Sequence, residues 1–498
     1  MNLEQQKKRA RELLRGIRDG DAEAIQRLRR HHSRWAEVDE ARLRQLVALH
    51  DAQFALAREQ GFPSWPKLGA YAEPRTDSRH TRLFVANIEW IDERVAGLLH
   101  AHKSAVPAAL EQIREWHPRF ADATDDDIRQ APFDGEDARL VYAREHGFES
   151  WHELASRVDA LAHGRAEEPF IAAYKALEVG DLPRLQALLR AHPELARARG
   201  TNGNTLLNLE SSMVGSAKRG RASSGATRIG LAGIEALLAA GADPKDPNDR
   251  GWTALHQAAY ANVPELADRL IAVGASVEAE AHGAGGTPLV VALFWGHREV
   301  ADLLARHGVV PRNLRAAAGV GDPTLVETFF SKDGALTAEA GAARGFYRPH
   351  SGFPDWQPST DPQEIVDEAL VWACKSDRVE VLDRLMHAGA RLEANPYRGT
   401  PLIWAAACNR TRAAAWLLER GADVNQRGTF GGLSHGKGIM ALHVAAQSGH
   451  IAMVKWLVER GADLSAKDDL YGATPAGWAE HSNRISVREY LLSRSART

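Results

Sequence analysis

One phrase constrains the fold of this chain more than any other feature: Gly and Thr leading to Leu and an Ala-rich run, repeated at near-constant spacing. It reads Gly251-Trp-Thr-Ala-Leu-His256, Gly285-Gly-Thr-Pro-Leu289, Gly399-Thr-Pro-Leu402, Gly438-Ile-Met-Ala-Leu-His443 and Gly472-Ala-Thr-Pro475. Each copy runs into a second helical segment ending in Leu-Leu-x-x-Gly-Ala or close to it, and Gly-Ala end marks stand at Gly241, Gly274, Gly389, Gly421 and Gly461. Gly241 to Gly274 is 33 residues and Thr253 to Thr287 is 34, while Gly421 to Gly461 is 40, so that unit carries extra residues. Self-similarity at such a period marks a stacked array in which each unit covers its neighbour's apolar face.

The unit's chemistry matches a helix pair. Thr and Pro suit a helix start, where the hydroxyl satisfies backbone N–H groups and Pro loses nothing by lacking one. The Ala run lets the first helix pack closely, a Leu-Leu pair buries the second, and the closing Gly takes the left-handed conformation that ends a helix. The pattern resembles the ankyrin repeat, with its 33-residue period and T-P-L-H-x-A signature. The resemblance covers roughly residues 168–495 and implies an all-α ankyrin-repeat solenoid of about seven to nine units. It also implies that His256 and His443 hydrogen-bond between units, and His297 and His450 read the same way.

The array is imperfect. It opens at Pro169-Phe-Ile-Ala-Ala-Tyr, and the unit from Gly203 holds about 15 extra residues near Ser211–Thr227. Asn313–Phe330 reads as a helix pair without the Thr-Pro start. Residues 331–362, rich in Gly, Pro and aromatics, read as a long ordered loop or a decayed finger. The expected division is therefore a helical N-terminal region over 1–165, a first repeat block over 166–330, the insertion at 331–362 and a second block over 363–498.

The N-terminal region holds its own internal match. Asp51-Ala-Gln-Phe-Ala-Leu-Ala-Arg-Glu-Gln-Gly-Phe62 aligns with Asp137-Ala-Arg-Leu-Val-Tyr-Ala-Arg-Glu-His-Gly-Phe148, and Ser64-Trp65 with Ser150-Trp151, at a constant offset of 86. Similar Gly-Phe-x-Ser-Trp modules stand before bacterial ankyrin arrays. The expected role is a helical cap over the first repeat's apolar face, with a separate binding domain as the alternative.

Lys+Arg 62 against Asp+Glu 65 gives a net charge of −3, which argues against a surface devoted to nucleic acid. No membrane span or secretory leader is expected. The two cysteines, Cys374 and Cys408, exclude a disulfide scaffold and suit a reducing compartment, so a cytoplasmic location is expected. High Ala and Arg suggest a bacterial source.

No zinc-protease, phosphate-loop, hydrolase-elbow or kinase motif is present, so no enzyme, catalytic residue, cofactor or metal site is expected. His31-His32 and His100-Ala-His102 read as solvated surface residues, and Asp367-Glu368, as helix neighbours, point apart and form no acid–base dyad. The basic insert Lys218…Arg228 reads as a solvated loop, with an anion-binding loop as the alternative.

Ankyrin arrays typically bind protein or peptide partners with their finger tips and the concave face of the first helices. By resemblance, the concave positions are Tyr260 and Ala261, Phe294 and Trp295, Ala407 and Cys408, Gln447 and Ser448, and His481 and Ser482. Finger residues include Asp249, Arg250, Trp252, Tyr397, Arg398, Leu470 and Tyr471. The partner-binding set is thus Trp252, Tyr260, Phe294, Trp295, Tyr397, Arg398, Gln447, Tyr471 and His481, with Tyr260, Phe294 and Trp295 forming one apolar strip. Alternatively, Phe294 and Trp295 pack under the 331–362 loop. The competing function is an enzyme or small-ligand binder with a pocket between that loop and the 429–438 finger, lined by His350, Trp356, Tyr397 and His435. The partner's identity and the oligomeric state are not legible.

Overall fold

The computed structural model describes residues 3–62, 64–72, 80–218, 230–282, 284–346, 358–396, 398–431 and 436–496. Their regular elements are almost all helices, and they divide into two compact units, Met1–Arg250 and Gly251–Thr498. This division falls inside the block 166–330 that the sequence groups together, so the earliest repeats pack as part of the first unit.

The first unit begins with Leu3–Asp19, Ala22–His31, a 3-10 turn at Ser33–Trp35, Glu40–Leu46, Leu49–Glu59 and Trp65–Ala72. The same order follows in Ile88–Lys103, Pro107–Trp116, Pro118–Phe120, Asp125–Gln130, Gly135–Glu145 and Trp151–Ala162. Corresponding elements start 85 or 86 residues apart. Phe62 and Phe148 stack with ring centroids 5.6 Å apart. Beside them Gly61 has φ +81°, and a Cβ there would lie 2.5 Å from the Arg157 backbone nitrogen. Only glycine gives both that conformation and that approach. Arg157 in turn donates to the Gln60 carbonyl at 3.2 Å. The helix pairs Pro169–Val179 with Leu182–Ala191, and Leu206–Lys218 with Leu231–Ala239, complete this unit.

The second unit stacks helix pairs in sequence order. Their first helices are Ala254–Ala261, Pro288–Phe294, Leu314–Val320, Pro362–Lys375, Pro401–Ala407, Ala441–Ser448 and Pro475–His481, each packed on the next. Thr253, Thr287, Thr400 and Thr474 cap four of these helices, accepting from the backbone N–H three residues on. Asn313 performs the same task where the Thr is missing, accepting from the Ala316 N–H at 3.0 Å. The Gly274 that closes a second helix has φ +96°, the left-handed turn the repeat requires.

Histidines tie successive pairs together. His256 Nδ1 accepts from the Thr253 N–H at 3.2 Å, which leaves Nε2–H to donate to the Gly286 carbonyl of the next unit at 3.0 Å. His443 repeats this, from Met440 N–H to the Ala473 carbonyl at 3.3 Å. His297 and His450 bond backwards, to the Tyr260 carbonyl at 3.0 Å and the Ala407 carbonyl at 3.1 Å. Burial holds His256 and His443 down at about 4, so both rings are neutral near pH 7.

Two segments differ from a plain array. The lengthened finger forms an antiparallel hairpin of Gly428–Phe430 and Gly436–Ile439, pairing Gly428 with Ile439 and Phe430 with Gly436. In the 331–362 insertion, a bridge between Phe330 and Leu336 and a 3-10 turn at Ala338–Gly341 lead to the buried Arg344 and Phe346. Residues 347–357, including His350 and Trp356, lie outside the described residues, as do Tyr397, His435 and the basic insert over 219–229.

Candidate interaction site

Aromatic rings from the first helices and fingers of the second unit form a connected run. Trp252 stands before its helix and meets Tyr260 edge-on, at 6.3 Å between centroids and 72° between planes. Tyr260 meets Trp295 of the next pair at 5.5 Å and 84°, and Trp295 meets Phe294 at 5.3 Å and 80°. Such edge-to-face pairs are the favoured geometry for aromatic quadrupoles. Trp252, Tyr260 and Trp295 are half-buried, so one side of each ring reaches solvent. Phe294 differs. It is buried, packed at 90° against Phe346 of the insertion and facing Trp372 at 6.4 Å. The last turn of Pro288–Phe294 aims it inward, while Trp295, just past the helix end, turns outward.

Beyond Phe294 the run becomes a recess lined by Arg315, Phe346, Glu368, Trp372, Lys375, Arg398 and Trp404. Lys375 closes the helix Pro362–Lys375, and its ammonium sits 3.6 Å over the Trp404 ring, 4.9 Å from Phe294 and 5.5 Å from Trp372. It donates to the Phe294 carbonyl at 2.7 Å. Burial lowers its pKa to about 7; Arg398 and Arg315 push the same way, and Cys408 and Glu368 push back. The Glu368 carboxylate takes Arg315 at 2.5 Å on one oxygen and Arg344 at 2.6 Å on the other. Arg398 donates to the Gly431 carbonyl at 3.2 Å, and Phe430 of the hairpin packs on Trp404 at 4.8 Å.

The ankyrin-repeat family model matches residues 225–313, 314–428 and 430–498, together more than half of the chain. The chain belongs to the ankyrin-repeat family. No curated protein matches it. The family generally serves protein–protein interaction.

The other sequence-selected residues of the ankyrin array scatter. Gln447 is half-buried and its carbonyl accepts from Arg484 at 3.1 Å. His481 is exposed near the chain end, and Tyr471 is 65% exposed at a finger tip. That tip is organised by Asp468, which accepts from the Leu470, Tyr471 and Ala473 N–H groups and from Trp478 Nε1. Arg398, expected at a finger surface, is buried in the recess. Asp367 and Glu368 do point apart, Asp367 to Arg391 at 2.6 Å and Glu368 into the recess. Cys374 is buried, Cys408 lies near Trp295, and burial raises both thiols, which makes them poor nucleophiles.

Three histidines expected in solvent are not there, among them His31, which is half-buried. His102 is buried, with Nε2 2.7 Å from the Ile128 carbonyl and its ring 4.7 Å from that of Phe133. His32 is half-buried and lies 3.2 Å from Asp51. The reading of Lys375 as part of a site was missed. A lysine in the last turn of a helix normally compensates the helix dipole in water, and the only sequence signal was the Trp372-x-x-Lys375 spacing beside Trp404.

Proposed function

We propose that this chain is a cytoplasmic interaction scaffold that recognises a protein or peptide on the concave face and fingers of its ankyrin array. The observation that carries this reading is the half-buried run Trp252, Tyr260 and Trp295, held by edge-to-face contacts on a rigid helical frame. Large aromatics on a pre-ordered surface supply binding energy at low entropic cost and dominate interface centres. Gln447, Tyr471 and His481 extend the surface toward the C-terminal repeats. Tyr397, also assigned to it, lies outside the described residues.

Recognition is by shape and aromatic burial, without chemistry. The two matched helix sets of the first unit are read as a duplicated cap in front of the array, of the bacterial type. Among the described residues no helix is long and apolar enough to cross a membrane.

The test compares proteins retained by the full chain with those retained by Trp295→Ala and by Tyr260→Ala, with helicity checked for each. Species kept by the wild type and lost from both variants are the expected result. An identical set bound at equal affinity by all three would overturn this surface.

A further inference from the structure

We propose that the recess between Phe294, Trp372, Trp404 and Lys375 receives a carboxylate carried by an acidic peptide segment of the partner. The inference rests on the interaction reading above and names the chemistry of what is bound.

Among the described residues, four cations are buried at or beside the recess, Arg315, Arg344, Lys375 and Arg398, against one buried carboxylate, Glu368. Glu364 at the rim adds a second, bonded to Arg344 at 3.3 Å. Both oxygens of Glu368 are engaged by Arg315 and Arg344. Among the described residues no carboxylate lies within ion-pairing distance of Lys375, whose ammonium is met by a carbonyl and three ring faces. Buried charge without a counter-charge is costly, and an entering anion would offset that cost.

The walls select the anion. Phe294, Trp372, Trp404 and Phe346 frame the recess with aromatic rings, and a planar carboxylate is the smallest anionic group that a peptide side chain can present to it. A tetrahedral dianion would have to shed far more water. The approach selects the carrier. Phe294 lines the recess and also touches Trp295, so the recess adjoins the half-buried Trp295–Tyr260–Trp252 run.

Lys375 is faced by Arg315 from the helix Leu314–Val320, Glu368 from its own helix, and Arg398 and Cys408 from either end of Pro401–Ala407. Arg410 is bonded to its backbone carbonyl at 3.1 Å. A carboxylate arriving among these groups favours the ammonium over the amine. Binding just above neutral pH therefore takes up a proton.

The test is calorimetric titration of the full chain with acetyl-Phe-Glu-Phe-amide and its neutral counterpart acetyl-Phe-Gln-Phe-amide, at pH 7.5, in HEPES and in Tris. The expected result is at least tenfold tighter binding of the Glu peptide, with proton uptake that differs between the buffers as their ionisation enthalpies require. Lys375→Met removes the Glu preference and the proton uptake. Arg398→Gln reduces the preference and serves if the first variant does not fold.

Equal affinity for the two peptides, no binding of either at millimolar concentration, or a preference intact in folded Lys375→Met would each overturn the proposal. So would competition by inorganic phosphate but not by acetate. Trp295→Ala separates the two readings. If it leaves both peptides unaffected while Lys375→Met abolishes the Glu preference, the recess stands and the aromatic surface falls. If Trp295→Ala weakens both peptides but Lys375→Met leaves the Glu preference unchanged, the recess falls and the surface stands.

Discussion

A buried acid in the first unit and a buried base in the second are both held toward their neutral forms. In the first, Glu145 is buried at the end of Gly135–Glu145 and bonded to Gln112 at 2.9 Å; burial and the nearby Asp249 carboxylate raise it to about 8. In the second, Lys375 is buried among aromatic rings and lowered to about 7. Both environments disfavour the charged form, but the aromatic one also offers a cation π-faces. The acid is enclosed by its own unit's helices, whereas the lysine lines a recess. That contrast is why the ligand proposal is placed in the second unit.

The comparison breaks most visibly at the packing that joins the two helix sets of the first unit. Phe148→Ala removes half of the stacked Phe62–Phe148 pair and is expected to cost about 3–5 kcal/mol in chemical denaturation. Truncating a half-exposed ring such as Tyr260 in the second unit should cost far less.

Acid sharpens the contrast next. His256 and His443 are held near 4 in the fold and titrate near 6.5 when unfolded. Their stabilisation is complete above pH 6.5 and is lost as pH falls toward 4, by up to about 3 kcal/mol each. Hydrogen exchange should show Ala254–Ala261 and Ala441–Ser448 opening over that window.

Between pH 7 and 8 the units should move in opposite directions. Glu145 holds its proton in the fold, so its contribution is present below its unfolded pKa of about 4.5 and is lost as pH rises to 8. Lys375 binds fewer protons folded than unfolded from about 7 to about 10, so the second unit gains stability as pH rises through that range. Glu145→Gln should flatten the first slope, and Lys375→Met the second, with Lys375→Met leaving stability at pH 7 unchanged or raised by about 1–2 kcal/mol. Unit-resolved hydrogen exchange at pH 6, 7 and 8 checks all four traces. The smallest effect belongs to Tyr471→Ala, within about 0.5 kcal/mol, because the ring is exposed and Asp468 holds the finger through backbone N–H groups.

The repeated helix pairs were legible because their signals are local. Thr253 caps its own helix, Gly274 ends one, and His256 reaches one unit ahead. The recess was not legible because it assembles from four units. Phe294, Arg315, Lys375 and Trp404 come from four helix pairs far apart in sequence, and the repeat pattern does not announce that they converge. Phe294 and Trp295 show the limit most clearly. Adjacent and chemically alike, they separate into core and surface because one ends the helix and the other follows it, under an insertion whose Phe346 no periodicity announces. The hairpin at 428–439 was hidden by its glycines, which read as an irregular finger.

The central claim is that the aromatic face of the second unit meets the partner. Hydrogen–deuterium exchange of the full chain, alone and with a partner recovered by capture, tests it most directly. The account predicts slowed exchange confined to residues 252–262, 288–297 and the rim of the recess. Protection restricted to the outer helices Pro264–Ala272 and Arg298–Arg306, or to the first unit, would contradict it.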